Sequence, residues 1–247
     1  LEKYIEIQMK EGVLRGMWHV PDRESYPLVI MLHGFTANRN GPRFAFVRLA
    51  RELEKCGIGS VRFDFLGSGE SDLDFVDMTF SKELEQAICI LETMSKHAEV
   101  SQIYLLGHSM GGALAGQLAA KFPDVIQKCV LWAPAFCMPQ LIGAMSTQIS
   151  PLENGCYDCK GLDLSQAFVD EMLQLDLYSG LNQYRHPLMI IHGTEDPTVP
   201  YVSSKQYLKA YGREDIDFKP LEKGSHNYEV YREVHFVLDH TLAFFCS

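Results

Sequence analysis

Gly107-His108-Ser109-Met110-Gly111 sets one serine between small residues, where an apolar run gives way to a small-residue helix pattern. A G-x-S-x-G turn between strand and helix projects a serine hydroxyl clear of the backbone, and only small neighbours tolerate so tight a bend. Gly107 and Gly111 allow the close approach, while Gly112, Ala113 and Ala115 let the helix lie near a sheet. A glycine-rich helix start with an incidental serine would not need the strand before it.

A serine hydroxyl is a poor nucleophile at neutral pH and needs a base. Nine histidines compete. His226, in Gly224-Ser225-His226, lies between a strand pattern and the last helix and suits a Ser…acid…His order. His33 and His192 end apolar strands, and His108 sits inside the serine turn. His19, His97 and His186 fall at surfaces or element boundaries, and His235 and His240 in the last helix. The acid should follow a strand between serine and histidine. His192-Gly193-Thr194-Glu195-Asp196-Pro197 fits, with Glu195 and Asp196 as adjacent rivals to hold the imidazole. Asp64 precedes the serine and reads as a structural carboxylate bonding loop amides. Acyl transfer also requires donors for an oxyanion. The N–H of Met110, after the serine, and that of Phe35, in the early loop His33-Gly34-Phe35-Thr36, are the candidates.

The elements that must position these groups alternate. Residues 2–9 and 13–20 read as a hairpin turning at Glu11-Gly12. Strand patterns follow at 28–32, 58–63, 103–106, 128–132, 188–191 and 215–219. Helical patterns occupy 43–55, 79–95, 111–121, 202–211 and 229–245. This is an α/β chain, with a mostly parallel sheet covered by helices on both faces. Residues 136–178 break the rhythm: no clear strand, six acids and one base, Lys160. Leaving the carboxyl end of the 128–132 strand, this stretch is expected to overhang the site as a lid.

Composition narrows the function classes. The chain has 247 residues, is 47% hydrophobic and carries a formal charge of −10, enough apolar content for one large core. The negative balance argues against nucleic-acid or anionic-membrane partners. No run approaches the ~20 apolar residues of a membrane span, and Leu1-Glu2-Lys3-Tyr4 lacks a signal peptide's apolar core. Seven scattered cysteines suit a reducing, cytoplasmic setting better than a disulfide framework. Cys156-Tyr157-Asp158-Cys159 has CxxC spacing but no companion pair for a closed zinc site.

Together these residues resemble the α/β-hydrolase superfamily over nearly the whole chain, and within it the bacterial cinnamoyl (feruloyl) esterases. The likeness is carried by His33-Gly34-Phe35-Thr36-Ala37-Asn38-Arg39, Val61-Arg62-Phe63-Asp64-Phe65, Gly67-Ser68-Gly69-Glu70-Ser71-Asp72, Ile191-His192-Gly193-Thr194-Glu195-Asp196 and Leu131-Trp132-Ala133-Pro134-Ala135. The resemblance implies an α/β-hydrolase fold with an eight-stranded sheet and a small inserted lid. It implies hydrolysis of small-molecule hydroxycinnamoyl esters without cofactor or metal. Ser109, Asp196 and His226 would be the triad, with Phe35 and Met110 as oxyanion donors. Such proteins often form homodimers. Gln140 falls where a polar lid group would meet the substrate, and Phe168 stands in place of a tyrosine, which favours broader aromatic or short acyl esters. Monoacylglycerol lipases, general carboxylesterases and thioesterases share the scaffold, and a non-catalytic binding protein on the same fold is the alternative of another class.

Overall fold

A computed structural model describes residues 1–247. Ten strands form: β1 (Glu2–Gln8), β2 (Val13–His19), β3 (Tyr26–Leu32), β4 (Gly59–Phe63), β5 (Val100–His108), β6 (Ile126–Trp132), β7 (Tyr157–Cys159), β8 (Leu162–Leu164), β9 (Leu188–Gly193) and β10 (Asp217–Leu221). Eight make one sheet in the order β1-β2-β4-β3-β5-β6-β9-β10, as expected of an α/β-hydrolase fold. β1 and β2 are antiparallel, β2 runs antiparallel to β4, and every later pairing is parallel.

Residues 28–32 of β3 and 188–191 of β9 are apolar without interruption because both faces of the sheet centre are covered. Leu28, Ile30 and Leu32 of β3 join one core, and Val29 and Met31 join the other, as the two-residue strand period requires. Seven helices complete the layers: α1 (Ala45–Lys55), α2 (Phe80–Met94), α3 (Met110–Lys121), α4 (Met138–Gln148), α5 (Gln166–Met172), α6 (Ser204–Tyr211) and α7 (Tyr231–Cys246). Phe46, Leu49 and Leu53 of α1 pack with Val234, Val237 and Phe245 of α7 over one face. Ile90 and Leu91 of α2, Leu114 and Leu118 of α3, and Tyr207 and Tyr211 of α6 cover the other. Each fully buried Leu, Ile or Phe contributes about 1.5–3 kcal/mol relative to exposure. Thr79 caps α2 by accepting the Lys82 N–H, and α6 ends on Gly212 at φ 62°, a left-handed stop suited to glycine.

The stretch 136–178 differs from its sequence reading. Two helices, α4 and α5, flank a hairpin of three-residue strands, β7 and β8, turning at Lys160-Gly161. Strands this short carry too little periodicity to be read from sequence. The strand expected at 215–219 forms two residues later, and its Pro220 is tolerated because β10 is an edge strand. No helix is long and apolar enough to cross a membrane. All seven cysteines are unpaired.

Candidate active site

The site lies beyond the carboxyl ends of β5, β9 and β10, each of which delivers one side chain through the loop that follows it. Between β5 and α3, Ser109 adopts φ 57° and ψ −122°. A non-glycine residue held there costs about 1–3 kcal/mol. The bend is held by Ser109 N–H donating to Trp132 O at 2.9 Å and Ser109 O accepting from Ala135 N–H at 3.0 Å. A Cβ on Gly107 would lie 2.0 Å from Gly111 O, and one on Gly111 would lie 2.2 Å from Leu32 O. The expected close approach at Gly107 and Gly111 is backbone against backbone, and it leaves no room for even a methyl group.

His226, in the loop after β10, accepts the Ser109 hydroxyl at Nε2, 2.9 Å from Oγ. Its Nδ1–H donates to Asp196 Oδ2 at 2.7 Å. Asp196 Oδ1 accepts the Thr198 and Val199 N–H groups, both at 2.8 Å. Burial opposes ionisation of this carboxyl, but hydrogen bonds from the His192 and His226 side more than offset it and hold it well below the usual carboxylate range. Glu195, the adjacent rival, is exposed. Asp64 is elsewhere and structural: it accepts the Arg39 N–H at 2.6 Å and the Glu70 N–H at 3.0 Å, and pairs with the Arg39 guanidinium.

The Phe35 and Met110 N–H groups donate to no acceptor within the chain. Their loops converge closely: a Cβ on Gly34 would lie 3.0 Å from Ser109 Cβ. Ser109 and His226 open into a cleft of about 480 Å³. Its α4 wall is Met138, Leu141, Ile142 and Met145, spaced i, i+3, i+4 and i+7 on one helical face.

That face corrects the expectation for Gln140, which is exposed and does not border the cleft. Phe168 is fully buried behind the cleft, stacked on Phe35 with centroids 5.3 Å apart. It supports the Phe35 loop and does not border the cleft, so the expectation that it meets the substrate is not met.

Three other histidines hold the site from behind, a role their sequence positions did not reveal. His33 Nδ1–H donates to Gly34 O at 2.9 Å, and its Nε2 accepts the Phe65 N–H at 3.1 Å, so one neutral tautomer pins the Phe35 loop. His108 Nε2–H donates to His226 O at 3.0 Å. Burial, with the neighbouring His226, pushes its pKa down to about 3. His192 Nδ1 accepts the Tyr207 hydroxyl at 2.8 Å, and its Nε2–H donates to Val199 O at 3.0 Å, beside Asp196 Oδ2 at 3.4 Å. The signal available was polarity at the ends of apolar strands; the partners come only with the fold. The assembled groups can move a proton from Ser109 Oγ to His226 Nε2 and offer two free N–H donors to a developing oxyanion.

Comparison with known proteins agrees. The alpha/beta hydrolase fold family matches residues 27–154, just over half of the chain, including Phe35 and Ser109. The chain is 24% identical over 85% of its length to the acylamino-acid-releasing enzyme of Rattus norvegicus, and it spans about 30% of that relative. It is 24% identical over 77% of its length to the palmitoyl-protein thioesterase ABHD10 of Bos taurus, spanning 64% of it. Among solved structures, Est1E from Butyrivibrio proteoclasticus with ferulic acid bound superposes with a TM-score of 0.86 at 25% identity, covering 98% of this chain and 97% of that one. With its eight-stranded sheet and the Ser109–His226–Asp196 arrangement, the chain belongs to the alpha/beta hydrolase fold family.

Proposed function

We propose that the protein is a serine carboxylic ester hydrolase working through an acyl-enzyme. The observation that carries this is the unbroken hydrogen-bond chain from Asp196 through His226 to Ser109, at the floor of a largely apolar cleft. Ser109 Oγ attacks the ester carbonyl as His226 Nε2 takes its proton, and Asp196 holds the imidazolium that forms. The Phe35 and Met110 N–H groups receive the oxyanion. His226 then protonates the leaving alcohol, and water repeats the sequence to release the acid. No step requires a metal or an organic cofactor. The 136–178 insertion acts as a lid that selects the acyl or alcohol group, and the unpaired thiols suit a reducing compartment such as the cytoplasm.

For the acyl group, likeness to Est1E with ferulic acid bound supports a hydroxycinnamoyl or related aromatic ester. A second reading, a carboxylesterase or monoacylglycerol lipase, is favoured by the aliphatic α4 wall and by Gln140 facing away. Hydrolysis of methyl ferulate, p-nitrophenyl butyrate and a long-chain monoacylglycerol separates them. Cleavage of methyl ferulate that Ser109→Ala abolishes supports the first reading; cleavage of only the aliphatic esters supports the second. A Ser109→Ala protein retaining half the activity overturns both.

A further inference from the structure

Among the residues bordering the cleft, Lys160 is the one lysine, and no arginine, aspartate or glutamate stands beside it there. The same cleft is bordered by Met138, Leu141, Ile142 and Met145 of α4 and by the neutral Asn38 and Asn227. Arg15, Arg39, Arg62 and Arg213 are all ion-paired, whereas Lys160 makes no ion pair or side-chain hydrogen bond. The turn that carries it is well defined. Cys159 pairs with Leu162 across the hairpin, and Asp158 Oδ1 accepts the Gly161 N–H at 2.7 Å. Lys160 itself takes φ 55° and Gly161 φ 88°, so the hairpin reverses in two residues.

The charge runs against its surroundings. Lys160 is the one base between residues 136 and 178, among six acids, in a chain of net charge −10. Such a chain repels anions at long range, so a site accepting one needs a local cation to do it. One cleft therefore holds a reacting centre, an aliphatic wall and an unpartnered ammonium.

We propose that Lys160 forms an anion subsite, and that the preferred substrates are esters with an apolar body and a carboxylate or phosphate group remote from the scissile carbonyl. The proposal rests on the ester-hydrolase reading and names the substrate class for that same site. The anion docks on the Lys160 ammonium while the apolar stem lies along α4 and the carbonyl reaches Ser109. Since Lys160 is exposed, the pairing is of the solvent-screened kind, roughly fivefold in kcat/KM at its upper range, and weakens with salt.

Two matched substrate pairs test this. p-Nitrophenyl hemiadipate against p-nitrophenyl hexanoate places the anion on the acyl side. 4-Carboxyphenyl butyrate against 4-carbamoylphenyl butyrate places it on the alcohol side. The readout is the anionic-to-neutral ratio of kcat/KM within each protein, so changes common to both substrates cancel. For at least one pair the ratio should fall roughly fivefold in Lys160→Gln, fall further in Lys160→Glu, and persist in Lys160→Arg. The wild-type ratio should also decline between 0.05 and 0.5 M NaCl, roughly in line with Debye screening. The pair that responds identifies the side carrying the anion. An unchanged ratio in Lys160→Gln for both pairs overturns the subsite alone. Hexanoate hydrolysis that survives Ser109→Ala overturns the hydrolase reading and the subsite with it.

Discussion

Asp196→Asn separates the electrostatic geometry of the site from its shape. Asp196 Oδ1 accepts two backbone N–H groups, at 2.8 Å each, which only an oxygen can satisfy. The asparagine oxygen therefore takes that position, and its NH2 group takes the place of Oδ2, 2.7 Å from His226 Nδ1. Two donors cannot face each other there, so His226 must present a lone pair at Nδ1 and carry its proton on Nε2. At 2.9 Å from Ser109 Oγ, Nε2 then donates and can no longer accept the serine proton. Loss of the correct tautomer costs about 10⁴-fold in turnover, or about 5 kcal/mol of transition-state stabilisation. The assay is kcat for p-nitrophenyl butyrate beside a thermal unfolding curve. The fold should survive, because the replacement is isosteric and keeps both amide contacts. Glu195→Gln, at the exposed neighbour, should stay within twofold of wild type or so. An Asp196→Asn enzyme within tenfold of wild type, correctly folded, would refute the tautomer reasoning.

Gly111→Ala should abolish both activity and stable folding, since its Cβ would lie 2.2 and 2.3 Å from the carbonyl oxygens of Leu32, the last residue of β3, and His33, which begins the loop after it and is itself pinned by hydrogen bonds to Gly34 and Phe65; a soluble variant with wild-type melting temperature would contradict this. Glu83 is buried on α2, its Oε2 has no partner, and burial pushes its carboxyl well above the usual range. A raised folded value means its contribution is full below the ordinary pKa of about 4.3 and is lost as pH rises toward the folded value. Glu83→Gln should therefore gain stability on wild type between pH 4.5 and pH 7, by at most about 1.4 kcal/mol per pH unit; parallel urea-midpoint curves for the two proteins would show that Glu83 does not titrate as described.

The serine turn was legible because its chemistry and its sterics demand the same residues: Gly107 and Gly111 have no room for a side chain, so the motif is written in residue types. His226 was legible from chain order. The choice between Glu195 and Asp196 came from family resemblance, and the fold supplies its reason: one faces solvent, the other bonds the loop that turns beneath His226. The insertion was least legible. Reading 136–178 as irregular left Gln140 without a helical register, although Met138, Leu141, Ile142 and Met145 already mark an inward face that excludes it. Phe168 took its place from its contact with Phe35, far away in sequence. The supports of the site were hidden for the same reason. His192 and Tyr207 belong to different elements, and no local pattern announces that they will meet.

The Ser109–His226 hydrogen bond joins residues 117 apart, and the histidine loop hangs from β10, the outermost strand of the sheet. The proposed activity therefore depends on two parts of the chain that form far apart, one at the middle of the sheet and one at its margin. During synthesis the serine turn can be complete while the enzyme stays inert, because its base has yet to emerge. In the folded protein, local opening of that sheet margin would part His226 from the serine while the rest of the molecule keeps its secondary structure. Turnover thus reports on the integrity of a single edge, and it would register damage there well before any global probe of unfolding.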